Sequence, residues 1–181
     1  ALPFKENIMK TAAVVEYAHA RGVSVEGELG IIGGTEDGYS VDTEKYMYTK
    51  PEDAVEFVKQ TGVDALAVAI GTNHGQYKSK TNVRVDLLKE INEAVDIPLV
   101  IHGGTGVKEE DIPQLINNGI RKFNVGTELL VGWTKTAKEK FEETAVDNSL
   151  RNNIMPCNEA VKNIVKHKIE IFMNKNQPIR V

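Results

Sequence analysis

The stretch ALAVAIGTNHG, residues 65–75, decides the fold. Ala65 to Ile70 form an unbroken apolar run. That pattern suits a strand buried on both faces, as in parallel sheets. The run stops at Gly71 and turns polar, presenting Asn73 and His74 just past the strand's C-terminal end. The same plan recurs on either side. IPLVIHGGTG (residues 97–106) gives a buried strand, Pro98 to Ile101, then His102 and a glycine-rich turn. IRKFNVGTE (120–128) gives a strand from Ile120 to Val125 with Asn124 near its end. Upstream, in VSVEGELG (23–30), Val23, Val25 and Gly27 alternate with Ser24, Glu26 and Glu28, a strand that ends in carboxylates.

Helical segments separate these strands. The first runs from Glu6 to Arg21, with Ile8, Thr11, Val15 and Ala18 at helical spacing and Gly22 as its stop. Others are expected from Pro51 to Gln60, from Asp86 to Val95, within KEEDIPQLINNG (108–119), from Glu128 to Glu143 and from Glu159 to Met173. Gly30 to Lys50 reads as a glycine-rich polar loop. Alternating helices and apolar strands predict an α/β fold with a parallel sheet. A doubly wound sheet and a TIM barrel both fit. A doubly wound sheet gathers its functional loops at one switch point. Here all four strands end in a polar cluster, which favours a (β/α)8 barrel. Only four strands are visible, so residues 1–181 are expected to supply half of one barrel domain. Neither a repeat nor a second domain is visible.

Composition narrows the function. The chain has 181 residues, 41% hydrophobic and 27% charged, the balance of a globular protein with a core. A formal net charge of −4 gives no basic field for nucleic acid and no polybasic run for a membrane surface. No apolar run approaches the ~18 residues of a membrane helix. Cys157 is the single cysteine, which excludes an intrachain disulfide and suits a reducing cytoplasm. The opening ALPFKENIMK lacks Met at its start and the regions of a signal peptide, so further chain is expected upstream.

The strand ends carry the chemistry. One histidine after a strand is as well read as a turn residue. His74 and His102 occupy the same position on consecutive strands, and neighbouring strand ends would bring them together. Imidazole suits zinc, and a catalytic zinc takes three protein ligands. Glu26 and Glu28 share one face and could point at the same metal; a plain carboxylate pair is the other reading. Glu36 and Asp37 lie between glycines, in a segment able to move, so Glu36 could act as a proton donor or remain a solvated loop acid. Gly103-Gly104-Thr105-Gly106 and Asn124-Val125-Gly126-Thr127 resemble strand-end loops whose backbone N–H groups bind phosphate. Either could be an ordinary turn. His19 and His167 lie in helices and read as surface or packing residues.

With these residues in view, the chain resembles the class II aldolases, the zinc-dependent fructose- and tagatose-bisphosphate aldolases. VEGELGIIGGTE (25–36) is similar to their glutamate-rich signature, NHGQY and HGGTG to their metal-ligand loops, NVGTE to their dihydroxyacetone-phosphate loop, and LPFKENI to the segment after their fourth strand. The resemblance implies a (β/α)8 barrel of which this chain supplies strands five to eight. It implies reversible aldol cleavage of a ketose 1,6-bisphosphate to dihydroxyacetone phosphate and glyceraldehyde 3-phosphate through an enediolate stabilised by zinc. His74 and His102 carry over as zinc ligands, Glu28 as the carboxylate at an alternative metal position, and a monovalent cation as an activator. Glu36 carries over as a proton-transfer acid and Asn124 as a holder of the enediolate. Gly75, Gly103, Gly104, Thr105, Asn124, Val125, Gly126 and Thr127 carry over as contacts to dihydroxyacetone phosphate. Arg151 resembles the arginine for the far phosphate, although the family's Asp-Pro-Arg is Ser149-Leu150-Arg151 here.

One family element is missing. The Asp-His pair that supplies the proton-transferring acid and the third zinc ligand has no counterpart in this sequence, so it is expected upstream of Ala1. The resemblance therefore implies a cytoplasmic, homo-oligomeric lyase of carbohydrate metabolism that needs its N-terminal half, and an isolated chain without activity. Two other readings use the same loops: a phosphate-binding barrel isomerase or epimerase without a metal, and a non-catalytic fragment or subunit. Metal analysis separates the first from an aldolase, and aldol cleavage by residues 1–181 alone would exclude the second.

Overall fold

The apolar runs become the strands of one sheet. In the computed structural model, which describes residues 2–36, 39–41, 47–75, 83–143 and 149–173, the chain divides into two units, Ala1–Asn124 and Val125–Val181. The first unit holds helices α1 (Phe4–His19), α2 (Pro51–Thr61), α3 (Val85–Ala94) and α4 (Ile112–Asn117). It also holds strands β1 (Glu26–Leu29), β2 (Gly33–Glu36), β3 (Tyr39–Val41), β4 (Ala65–Val68), β5 (Asn73–His74), β6 (Leu99–Ile101) and β7 (Ile120–Phe123).

Four strands form an all-parallel sheet in the order β1-β4-β6-β7, so sheet order follows chain order. Leu66, Ala67 and Val68 of β4 and all of β6 are almost wholly buried, as their apolar runs demand. Strand β1 instead alternates: Gly27 and Leu29 are buried while Glu26 and Glu28 are exposed. Register sorts the two faces. Glu26 pairs with Ala65, Glu28 with Ala67, Ala67 with Val100, and Val100 with Lys122. These residues share one face. On the other, Leu66 pairs with Leu99, and Leu99 with Ile120. Together with Phe57, Leu88, Ile91, Ile112 and Leu115 they are fully buried, and each such side chain contributes roughly 2 kcal/mol. Gly27 belongs to the same packing, since a Cβ there would lie 2.6 Å from the Phe57 ring.

The loops beyond the strands are also ordered. Gly30 to Lys50, expected as loop, contains β2 and β3 as an antiparallel pair, and Ile31 and Met47 exchange backbone hydrogen bonds at its base. Strand β5, in the expected loop after β4, adds to β2 in parallel, matching Gly33 with Asn73 and Gly34 with His74. Local propensity fails there because glycine-rich segments become strands only when a partner edge is available. Strand β1 also starts later than expected, at Glu26 rather than Val23.

The second unit is a pair of helices, α5 (Thr127–Glu143) and α6 (Leu150–Phe172). They approach closely: a Cβ on Gly132 would lie 2.4 Å from Ile164 Cδ1. Helix α6 begins at Leu150, not at the expected Glu159. Ser149 caps it, accepting a hydrogen bond from Asn152 N at 3.4 Å, and the helix continues through Pro156. Proline marks a helix break only when no tertiary packing overrides it. The buried Lys168 pairs with Glu128 at 3.0 Å. Among the described residues, no helix is long and apolar enough to cross a membrane.

Candidate active site

The polar face of the sheet ends in one connected cluster. His102 follows β6, and its Nε2 lies 3.1 Å from Glu26 Oε1 on β1. Lys122 of β7 donates to the other oxygen of Glu26 at 2.7 Å. These contacts pass over β4, where the face carries only Ala65 and Ala67. The β6–β7 register shifts between Leu99 and Val100, so Val100 meets Lys122 rather than Arg121. The extra residue turns Lys122 onto the face of Glu26, as β-bulges next to sites commonly do. Burial pushes the Glu26 carboxyl up, but the hydrogen bonds and charges of Lys122 and His102 outweigh it and hold Glu26 below the usual glutamate range.

Glu28 Oε2 lies 3.8 Å from His102 Nδ1, beyond hydrogen-bond distance. Two zinc ligands at tetrahedral angles lie about 3.4 Å apart. The 3.8 Å separation of these two atoms is wider than that, so by themselves they do not define a tetrahedral metal site. Among the described residues no group of three or more His, Cys, Asp or Glu is placed to hold a metal. The side chain of His74 lies outside the described residues. Its backbone is fixed as part of β5, and that segment sits directly against the His102 loop. Gly103 adopts φ +69°, and a Cβ on it would lie 2.1 Å from Asn73 O. Only glycine lets the two histidine-bearing loops touch in this way.

The remaining expected residues are distributed as follows. Gly75 has φ +82° just after His74. Gly104, Thr105 and Gly106 form a 3-10 turn. The Gly104 N–H donates to Asn124 O at 3.0 Å, while Asn124 N donates to Ile101 O at 2.8 Å. The Gly104 amide is thus committed to holding its own loop against the end of β7. Val125, Gly126 and Thr127 lie in the second unit, where Gly126 O accepts from Leu129 N and Leu130 N to start α5. Arg151 is an exposed residue in the first turn of α6. Glu36 has its backbone in β2, and its side chain lies outside the described residues. Asn7 of α1 donates to Glu28 O at 2.9 Å, which ties the LPFKENI segment to the carboxylate strand.

Sequence reasoning missed Lys122 and treated Glu26 only as one of a pair. The available signal was a lysine set two residues before Asn124 in an otherwise strand-like run. The bulge that aims it is not visible in the sequence. His19, read as a surface or packing residue, is exposed on α1 and pairs with Asp64 at 2.8 Å, and the same carboxylate oxygen accepts from Val25 N at 2.6 Å.

A family model for class II fructose-bisphosphate aldolase matches residues 1–177. The chain belongs to that family. It is 37% identical to the YdjI aldolase of Escherichia coli K12, with a TM-score of 0.77, covering 95% of this chain and 58% of that one. It is 29% identical to a candidate fructose-1,6-bisphosphate aldolase of Coccidioides immitis, with a TM-score of 0.84, covering 97% and 61%. A fructose-bisphosphate aldolase of Campylobacter jejuni shares the fold at 23% identity and a TM-score of 0.71, covering 93% and 57%. The chain thus spans about three fifths of the length of the solved structures it matches.

Proposed function

We propose that this chain forms the substrate- and metal-binding part of a zinc-dependent ketose-bisphosphate aldolase. In this reading its four parallel strands are the last four of an eight-stranded barrel. The complete enzyme cleaves fructose or tagatose 1,6-bisphosphate to dihydroxyacetone phosphate and glyceraldehyde 3-phosphate. The observation that carries the reading is the Gly103–Asn73 contact, which locks the His74 and His102 strand ends together beside Glu28.

His74 and His102 hold the zinc, Glu28 offers a further oxygen ligand, and the third histidine and a proton-transferring aspartate come from the preceding part of the barrel. Bound zinc supplies Lewis acidity, drawing electron density from the substrate carbonyl. Asn124, anchored through its backbone to Ile101 and Gly104, orients the oxygens of the three-carbon product. Thr105, Gly103 and Gly75 line the same loops. Val125, Gly126 and Thr127, at the start of a 17-residue helix, bind the phosphate through their backbone amides. A Cβ on Gly126 would meet nothing within 4 Å, so room for a phosphate oxygen remains there. Glu36 transfers a proton, and Arg151 binds the far phosphate. A monovalent cation activates the enzyme, and the assembly is a cytoplasmic homo-oligomer.

The test uses the complete polypeptide. Verified removal of zinc should abolish aldol cleavage, and restoring zinc should return it. His102→Ala should lose both metal and activity. Full activity after metal removal would overturn the reading, and a metal-replete, active H102A protein would overturn the ligand assignment.

A further inference from the structure

The Glu26–His102–Lys122 chain goes beyond this ligand set. We propose that Glu26, held in place by Lys122, is a positioning residue that fixes His102 in the tautomer with its proton on Nε2, so that Nδ1 presents its lone pair towards the divalent cation. The inference rests on the reading of His102 as a metal ligand.

A carboxylate at neutral pH accepts hydrogen bonds and gives none. Glu26 Oε1 lies 3.1 Å from His102 Nε2, so that nitrogen carries the proton. A neutral imidazole then has its lone pair on Nδ1. Nδ1 is also the nitrogen that faces Glu28 Oε2 at 3.8 Å. The two ends of the ring are therefore assigned to different tasks: Nε2 is oriented and Nδ1 ligates. Lys122 completes the arrangement from the other side. Its 2.7 Å bond to Glu26 Oε2 leaves Oε1 as the oxygen that meets the imidazole. A carboxylate behind a ligating histidine fixes ring orientation and raises the ligand's basicity, and its loss typically costs about ten- to a hundredfold in metal affinity.

The geometry shows how the chain builds this device. Glu26 and Lys122 lie on β1 and β7, the two ends of the four-stranded order, and three strand spacings amount to about 14 Å along a flat sheet. The pair nevertheless closes, with Ala65 and Val100 at intervening positions on that face and the β7 bulge placing Lys122 on it. Neither strand needs this pair for its backbone ladder.

The test compares wild type, Glu26→Gln, Glu26→Leu and Lys122→Met in the complete polypeptide, with folding checked by circular dichroism. In metal-free protein labelled with 15N-histidine, the His102 ring should show Nε2–H in wild type and lose that preference in E26L. Zinc affinity, read by chelator competition, should fall about ten- to a hundredfold in E26L. E26Q keeps an acceptor oxygen and should recover part of the loss, and K122M should fall in the same direction by less. An Nδ1–H tautomer in wild type would overturn the proposal. So would wild-type zinc affinity in a folded E26L or, should that variant not fold, in K122M. These outcomes differ from failure of the aldolase reading, which H102A reports by keeping its zinc.

Discussion

Gly103→Ala tests the loop contact on which the site depends, and Gly22 supplies its control. Both glycines have φ +69°. A Cβ on Gly22 would meet nothing within 4 Å, so G22A carries only the dihedral strain, about 1 kcal/mol. A Cβ on Gly103 would lie 2.1 Å from Asn73 O and 2.6 Å from Asn73 C. Both atoms are backbone, so no side-chain rotation relieves the clash. Reaching an ordinary separation requires the Asn73 peptide to move by about 1 Å, which adds roughly 1–3 kcal/mol of the kind seen for overpacking. The expected loss of stability by urea unfolding is therefore about 2–4 kcal/mol for G103A against about 1 for G22A. The displaced peptide leads into His74, and a 1 Å misplacement near chemistry can cost about a hundredfold in rate. Chelator competition in the complete polypeptide should show G103A losing zinc affinity while G22A keeps it. G103A with the stability of G22A and unchanged zinc affinity would refute the claim that these two loops are held together by contact.

Two threonines form a second matched test. Thr49 Oγ1 donates to Leu29 O at 2.5 Å and accepts from Ala69 N at 2.9 Å, bridging the ends of β1 and β4. Thr49→Val should therefore cost about 2–4 kcal/mol in urea unfolding. Thr72 is equally buried and its hydroxyl has no hydrogen-bond partner among the described residues, so Thr72→Val should be neutral or stabilising by the same assay. The Asp64 carboxyl is held below its usual range, first by the hydrogen bond from His19 and then by that from Val25 N. A depressed folded-state value means stabilisation that is complete above the unfolded-state range and lost as pH falls through the lower folded value. Wild type should therefore lose stability relative to Asp64→Asn on acidification, and parallel unfolding curves from pH 7 to pH 3 would contradict this. Ser149→Ala should lower the thermal midpoint only slightly, because the cap it removes is worth about 0.5–2 kcal/mol and its 3.4 Å bond lies at the weak end.

The fold was legible where the physics is local or periodic. The apolar runs at β4 and β6 could only be buried, and the glycines and prolines at their ends marked where helices and strands change over. The alternation of β1 announced that Glu26 and Glu28 share a face. What stayed hidden depends on partners distant in sequence. Strands β2 and β5 exist because two glycine-rich loops lie edge to edge, and nothing in GGTE or NH alone favours a strand. The start of α6 lies at Leu150 rather than Glu159, and Pro156 falls inside the helix. At the candidate site, His74, His102 and Glu28 were singled out from strand-end position and resemblance. Lys122 was not, because its orientation is set by a one-residue slip in register between β6 and β7.

The missing side chains matter as much as the charged ones. Alanine in a strand has modest propensity and little area to bury, so Ala65 and Ala67 look like weak choices beside Val68. Their place in the register explains them. They lie between the carboxylates of β1 and the Val100–Lys122 pair, on the same face. Gly27, on the opposite face, lets Phe57 and Val63 pack against β1. Gly103 then draws the second histidine loop against the first. Each small residue surrenders local stability to make room for a contact between distant strands. Strand packing alone would favour larger apolar residues at these positions.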